Sequence, residues 1–240
     1  MPANRIFLLS PANCGGTRAR QALSPKATFA LAAALRSPDG APLGELFSFV
    51  SGLYFRGKLT YARRFARPAE PDNAVVGGGI HIITANAGLR SPDTLVTRAA
   101  VQAFGRGDID AGNARYRRPL EASARALLAE IGADCDVVLL GSVASPKYVD
   151  ILTAIFGARL LFPTAFVGRG DMSRGGLLLR HASEGTELDY APVLGAIRHG
   201  SRPPKLPPLA RLKPSPYGTA VGSAEAVVLR DGAARRPRRA

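Results

Sequence analysis

The sequence has few of the residue types on which most metal and nucleophile chemistry depends. Among 240 residues there are only two cysteines and three histidines. Cys14 and Cys135 have no partners at metal-ligand spacing, and a single pair makes no disulfide framework. We therefore expect a reducing cytoplasm and no metal site. Only three histidines exist and His199 lies in the basic C-terminal region, so no Ser-His-Asp or Cys-His set is predicted either.

Long apolar runs and nucleotide-binding fingerprints are also absent. No stretch approaches the ~18 apolar residues that a membrane-spanning helix requires. The first apolar run, residues 6–9, is too short for the core of a secretory signal. Neither a phosphate-loop motif nor a dinucleotide-binding motif occurs. The sequence thus predicts a cytoplasmic protein with no membrane partner and no cofactor.

Acidic residues are scarce relative to basic ones, and this imbalance is uneven along the chain. The net charge is +14, from 32 Lys/Arg and 18 Asp/Glu residues. Residues 198–240 carry 10 of the basic residues and 2 of the acidic ones, and prolines cluster there too. We predict an α/β domain over residues 1–197 and a disordered, Pro/Arg-rich basic tail over residues 198–240. Such an excess of positive charge favours polyanions as partners.

Apolar runs alternate with helical patterns along the first 197 residues. Continuous apolar runs, typical of strands buried on both faces, occupy residues 5–9, 80–84, 135–140 and 158–161. Helical spacing and Pro-initiated starts predict helices over residues 25–36, 53–65, 118–131 and 147–156. Residues 187–193 suggest an edge strand, where a proline is tolerated. The alternation predicts a three-layer α/β fold with a mostly parallel central sheet.

The glycine-rich stretch 162–176, between two apolar runs, is the strongest candidate site. Its four glycines allow backbone N–H groups to approach a ligand closely. Arg169 and Arg174 supply donors suited to phosphate or carboxylate, and Asp171 or Ser173 is expected to cap a short helix that begins here. The stretch predicts an anion or nucleotide cradle. The alternative is a tight turn whose arginines are merely solvated.

Polar side chains also follow the other predicted strands, at the edge where open α/β sheets bind ligands. Asn86 and Asp171 are the two candidates for a catalytic group that orients a water or a base. Besides residues of the glycine-rich stretch, the candidates for contact with nucleic acid or another anion are Ser10, Asn13, Arg56, Lys58, Arg90, Ser142 and Lys147.

Basic and aromatic residues alternate in residues 54–64. Arg56 and Lys58 lie between Tyr54 and Tyr61, and two further arginines follow. Such a pattern binds single-stranded nucleic acid by charge and stacking. The alternative is a core-facing helix surface backed by a solvated basic face.

Three segments resemble the YaaA family of bacterial peroxide-stress proteins. Residues 6–13 are similar to the family's "ILISPAK" start, residues 87–93 to its "YGVLRPLD" segment, and residues 169–174 to its "RGLMSR" motif. Residues 84–89 and 141–148 also resemble "SAKHGLL-P" and "GKAY" motifs of domains related to the extra domain of archaeal tRNA-guanine transglycosylase.

These resemblances imply a uracil-DNA-glycosylase-like α/β fold over roughly residues 4–193, and binding of DNA more than of RNA. The sequence departs from the relatives in two places: Asn13 stands where YaaA proteins have lysine, and Asn86-Ala87 replaces a Lys-His pair. The water-activating motifs of the glycosylases, "GQDPYH" and "HPSP", are missing.

Three functional hypotheses follow. The first is a DNA-binding protein of the stress response, engaged in DNA protection or repair. The second is an enzyme that acts on the N-glycosidic bond of a nucleobase or nucleotide, so that a free base or nucleotide is a small-molecule ligand. The third is a non-catalytic scaffold that binds through its basic tail.

Overall fold

The computed structural model describes residues 3–144, 146–197, 199–204 and 206, and it places a six-stranded sheet between two layers of helices. The sheet has the order β4-β3-β1-β6-β7-β8, and a separate pair of strands, β2 and β5, is antiparallel. The strands are β1 (Arg5–Leu9), β2 (Ala41–Pro42), β3 (Ile80–Ile83), β4 (Leu89–Arg90), β5 (Leu95–Val96), β6 (Asp136–Leu140), β7 (Leu160–Pro163) and β8 (Tyr190–Pro192).

The four central strands are parallel, and both edge strands are antiparallel. Phe7 of β1 pairs with Ile80 of β3 on one side and with Val138 of β6 on the other. β6 pairs in turn with β7, while β4 and β8 run antiparallel at the two edges. The predicted α/β class with a mostly parallel sheet is therefore confirmed.

Eight α-helices lie within the described residues. They are α1 (Thr17–Leu23), α2 (Ala30–Arg36), α3 (Leu43–Ser51), α4 (Leu53–Phe65), α5 (Arg98–Arg106), α6 (Ala114–Glu130), α7 (Pro146–Phe156) and α8 (Asp171–Glu184). None of them is long and apolar enough to cross a membrane.

The alternation of side chains along the central strands produces two hydrophobic cores. Phe7 and Leu9 point to the core that contains the buried residues of α1 to α5 and of α8. Ile6 and Leu8 point to the opposite core, which is covered by α6 and α7. Because successive side chains of a strand face opposite ways, a continuous apolar run buries both faces of the sheet.

Two helix starts differ from the sequence prediction. Pro25 does not begin a helix: residues 24–29 separate α1 from α2, and the Arg36 side chain donates to the carbonyls of Ser24 and Ala27 in that connection. Helix α6 begins at Ala114 rather than near Pro119, because Asn113 caps it by accepting from the Arg115 N–H. The proline is therefore inside the helix.

Helices α4 and α8 approach each other through a pair of glycines. A Cβ atom on Gly57 would lie 2.6 Å from the Gly175 carbonyl oxygen, and one on Gly175 would lie 2.8 Å from the Leu53 carbonyl oxygen. Real Cβ atoms do not come this close, so the two backbones meet only because both positions lack side chains. The contact brings two neighbouring residues to the crossing of the two helices: Lys58, which follows Gly57, and Arg174, which precedes Gly175.

An ionic network lies at the amino ends of β1 and β6, at the opposite edge of the sheet from the loops that follow Leu9 and Leu140. Arg5, 13% exposed, donates to Asp136 and to Glu187 at 2.6 Å each. Arg67 donates to the other oxygen of Glu187 at 2.8 Å. Each acidic group here has a basic partner, so this network ties β1, β6 and the approach to β8 together.

The described chain continues past the predicted domain boundary at residue 197. The Pro204 carbonyl accepts from the Arg169 guanidinium at 3.4 Å, and Leu206 packs against the core beside α8. Contact with the domain thus extends at least to residue 206. Residues 207–240, which make up most of the predicted disordered basic tail, lie outside the described residues.

Candidate functional site

Lys58 of α4 is a lysine buried inside the protein. It is 1% exposed, and its Nζ donates to the Ser10 carbonyl at 2.6 Å and to Ser10 Oγ at 2.8 Å. The ring centroids of Tyr54 and Phe55 lie 4.5 and 4.7 Å from Lys58 Nζ. Within the described chain no carboxylate forms an ion pair with it. Burial lowers the pKa of this amine to about 7.

Ser10 lies where the chain leaves two neighbouring parallel strands in opposite directions. It directly follows β1, from which the chain leads to α1 on one face of the sheet. Gly141 directly follows the adjacent strand β6, from which the chain leads to α7 on the other face. Open α/β sheets bind ligands in the crevice that forms at such a point.

Tyr148 closes the β6 side of this crevice. Its hydroxyl accepts from the Ser142 N–H at 3.0 Å and donates to the Ser142 carbonyl at 3.1 Å, and the Ser10 side chain lies beside it. A Cβ atom on Gly141 would lie 2.8 Å from Ser10 Cβ and 2.9 Å from the Tyr148 hydroxyl oxygen. The glycine therefore allows Ser10 and Tyr148 to meet.

Arg174 of α8 is the second buried cation of the crevice. It is 8% exposed, and its Nε and Nη2 donate to the Phe166 carbonyl at 3.3 and 3.1 Å. Its Nη1 lies 3.5 Å from Asp171 Oδ1, on a carboxylate side chain that is 69% exposed. Water screens an exposed carboxylate strongly, so much of the guanidinium charge remains available to a ligand.

The Tyr54 hydroxyl lies beside these cations, and its own proton has no acceptor in the described structure. Tyr54 is 6% exposed, and its hydroxyl oxygen is fully buried. Burial raises the pKa of this phenol, and the Arg174 charge acts against that rise only in part. The group is therefore a protonated donor. A buried donor with no acceptor calls for an explanation, and an acceptor atom of a ligand beside Arg174 supplies one.

The predicted cap of α8 was wrong. The capping position is Gly170, which offers no side chain, and Asp171 is already the first helical residue. Asp171 instead forms the ion pair with Arg174, one turn along the helix. The helix is 14 residues long rather than short, because Leu177 and Leu178 continue it into the core.

The structure brings some of the predicted residues together and leaves others apart. Ser10, Lys58, Ser142, Asp171 and Arg174 surround the crevice at the ends of β1 and β6. In this respect the predicted loops converge, although the glycine-rich stretch supplies only two of the five.

Arg169 and Ser173 are held within the glycine-rich stretch itself. The Arg169 Nε donates to the Ala165 carbonyl at 3.0 Å, and its Nη1 donates to Ser173 Oγ at 3.2 Å. A further N–H of the guanidinium reaches the Pro204 carbonyl. Arg169 therefore fixes the turn before α8 and the segment that follows residue 199, whereas Arg174 faces the crevice.

The remaining candidates are exposed and have no hydrogen bond to the crevice among the described residues. Asn13 accepts from the Gly15 N–H at 3.0 Å within its own turn. Asn86 lines a cavity of about 450 Å³ beside Arg118, and Arg90 lines another of about 360 Å³ beside His81. The last two candidates, Arg56 on α4 and Lys147 on α7, are solvent-exposed.

Sequence reasoning missed Tyr54 and Tyr148 as site residues and did not separate Lys58 from its exposed basic neighbours. A signal was present for Lys58. It lies four residues after Tyr54 and three before Tyr61, so all three share the apolar face of α4. A lysine on the buried stripe of a helix is unusual.

Comparison of the chain with protein-family models, with curated proteins and with solved structures gave no match. The YaaA and uracil-DNA-glycosylase resemblances accordingly stay predictions, and the chemistry of the crevice is argued from its own residues.

Proposed function

We propose that the crevice at the ends of β1 and β6 binds the phosphate groups of a nucleic acid. One observation carries the proposal: Lys58 and Arg174 are buried near each other, with only a solvent-exposed carboxylate opposite them and a Tyr54 hydroxyl whose proton has no acceptor. Burying a cation without a counter-charge is unfavourable. An anion held by both cations and by the tyrosine hydroxyl removes that penalty.

The charge of the whole chain favours a polyanion over a small anionic metabolite. The net charge is +14, and exposed basic residues accompany the buried ones, with Arg56 on the same helix as Lys58 and Lys147 at the start of α7. Exposed basic residues attract a long phosphate chain from a distance, while buried donors at the crevice hold one of its phosphates.

The finer identity of the protein belongs to the same proposal. We propose a uracil-DNA-glycosylase-like fold, with which the parallel strand order β3-β1-β6-β7 is compatible, and a cytoplasmic role in DNA protection or repair under stress. Both cysteines are unpaired and buried, which agrees with a reducing compartment. DNA is favoured over RNA by the YaaA resemblance alone.

Hydrolysis of an N-glycosidic bond gains no support from the arrangement. Asn86, one of the two candidates for that chemistry, lies in the loop between β3 and β4, whereas Asp171 is the first residue of α8. Asn86 lines a cavity that none of the crevice residues border. Asp171 is engaged by Arg174.

Arg174→Gln is expected to weaken oligonucleotide binding by about 10- to 100-fold, as for loss of one charge-assisted contact worth about 1–3 kcal/mol. Arg125→Gln removes the same charge from an exposed position on α6, in the opposite helix layer, and is expected to leave affinity nearly unchanged. Fluorescence anisotropy of labelled single-stranded DNA, duplex DNA and RNA, each at several salt concentrations, provides the measurement.

Wild-type affinity in the Arg174→Gln protein would place the binding surface elsewhere. If both variants bind as wild type and affinity still falls steeply with salt, the scaffold hypothesis, in which the basic tail does the binding, is favoured instead. Thermal unfolding of each variant checks that the fold is retained.

A further inference from the structure

We infer that Ser10 is a nucleophile activated by Lys58, and that the crevice transfers a phosphoryl group to Ser10 during hydrolysis of a phosphate ester. The nucleophile and its base are the side chains that lie 2.8 Å apart, Ser10 Oγ and Lys58 Nζ. Pairs of this kind, serine with lysine in place of histidine, are an established way to activate a hydroxyl.

The second contact of Lys58 determines how its nitrogen is oriented. A neutral amine has two N–H groups and one lone pair. One N–H donates to the Ser10 carbonyl at 2.6 Å. The ammonium form also donates to Ser10 Oγ at 2.8 Å; in the neutral form the lone pair takes that place and accepts the proton of the Ser10 hydroxyl. The aromatic rings of Tyr54 and Phe55 cover the amine and exclude water, and this burial lowers its pKa to about 7. Near pH 8 most of the lysine is thus able to take a proton.

The surroundings of Ser10 also suit a reacting anion. Ser10 directly follows β1 at the crevice, and Tyr148, itself fixed by Ser142, lies beside its side chain and positions it. Arg174 supplies a charge that neutralises a phosphate oxygen, and the Tyr54 hydroxyl is a donor with no acceptor in the described chain. Preorganised donors of this type stabilise the charge that develops in phosphoryl transfer.

The reaction needs no oxidant or reductant, and water is its only co-reactant. Ser10 Oγ forms a bond to phosphorus while its proton passes to Lys58 Nζ. The ester P–O bond then breaks, and the leaving oxygen takes the proton from the Lys58 ammonium, which gives an alcohol and a Ser10 whose Oγ is esterified to phosphorus, with the second ester group of a diester retained. Water next attacks phosphorus, with Lys58 accepting its proton, and Ser10 Oγ leaves and regains that proton. The choice of a phosphate ester rests on the proposed function, whereas the serine–lysine pair does not.

Reaction of the full-length protein with a fluorophosphonate probe tests the nucleophile. We expect one adduct, located at Ser10 by peptide mass spectrometry, and none in Ser10→Ala. Lys58→Met is expected to react at least about 100-fold more slowly, the usual loss when a general base is removed. Ser183→Ala, an exposed serine on α8, serves as the matched control and is expected to react as wild type.

The pH profile of labelling identifies the base. The rate is expected to rise between pH 6 and 8 as Lys58 loses its proton. The other charged or titratable groups around Lys58 are Asp171, Arg174, Tyr54 and Tyr148, and burial raises the pKa of both tyrosines. Burial is the main influence on Lys58, and the Asp171 charge opposes it. Asp171→Asn is therefore expected to move the midpoint of the labelling profile to lower pH. If Lys58 had only a structural role, this substitution would leave the labelling profile unchanged.

The substrate class is tested with bis(p-nitrophenyl) phosphate. Release of p-nitrophenolate by wild type, reduced to background in Ser10→Ala, is the expected result. Three outcomes would each refute Ser10 as the nucleophile activated by Lys58. They are no adduct on wild type at pH 8.5, adducts spread over many serines, and labelling of a folded Lys58→Met protein at the wild-type rate. If Lys58→Met does not fold, the wild-type pH profile and the Asp171→Asn shift decide the question.

Failure of this inference is distinguishable from failure of the proposed function. Wild-type protein that binds oligonucleotides but leaves Ser10 unlabelled refutes the nucleophile and retains the binding function. Labelled Ser10 in a protein that binds no oligonucleotide refutes nucleic-acid binding and retains the nucleophile.

Discussion

Gly175→Ala is expected to lower the free energy of unfolding by about 3 kcal/mol, at the upper end of the range for overpacked sites. The new Cβ would lie 2.8 Å from the Leu53 carbonyl oxygen and from Tyr54 Cα. Both are backbone atoms of α4, which cannot move aside as the end of a flexible side chain can. Helices α4 and α8 must therefore separate, and apolar surface between them becomes exposed.

Gly176→Ala is the matched control, one residue further along the same helix. The nearest atom to its new Cβ would be Leu206 Cδ1 at 3.9 Å, an ordinary contact. Since alanine favours a helix over glycine by about 1 kcal/mol, this variant is expected to be as stable as wild type or slightly more so. Urea unfolding followed by circular dichroism measures both. Equal stability of the two variants would mean that α4 and α8 do not approach as closely as described.

The fold was predictable for the strands that are buried on both faces of the sheet, because such strands consist of consecutive apolar residues. Continuous apolar runs identified the four parallel strands, since each of these strands places alternate side chains in two separate cores. The start of α6 was not predictable from Pro119, because the Asn113 cap sets it. A proline restricts the backbone locally, but a better cap a few residues earlier takes precedence.

The site was predictable only as a set of loops. That polar residues after β1 and β6 would converge follows from a parallel sheet, and Ser10 and Ser142 do converge. For the basic residues the sequence offered one signal, the position of Lys58 on the apolar face of α4 with Tyr54 and Tyr61, but not what that face packs against. Lys58 is inside because a glycine next to it meets a glycine of α8, a contact between residues more than a hundred positions apart. Local patterns carry no information about such a pairing.

Lys58→Met is expected to remove a pH dependence of stability that the wild-type protein has between about pH 7 and pH 10. In the folded protein burial holds the pKa of Lys58 at about 7, whereas a lysine of the unfolded chain titrates near 10.4. Between these values the unfolded chain binds more protons than the folded one, so the free energy of unfolding rises with pH. The slope approaches about 1.4 kcal/mol per pH unit.

Methionine has a similar length and no proton to bind, so this contribution disappears in the variant. The free energy of unfolding of Lys58→Met minus that of wild type is therefore expected to be higher at pH 7.5 than at pH 9.5, by about 2 kcal/mol. Urea unfolding in buffers free of phosphate gives the measurement, because a bound anion would keep the lysine charged. Lys26→Met removes a charge from an exposed lysine and corrects for the altered net charge. Parallel pH profiles for the two variants would show that Lys58 keeps its proton in the folded protein, and the crevice would then hold two permanent cations and no base.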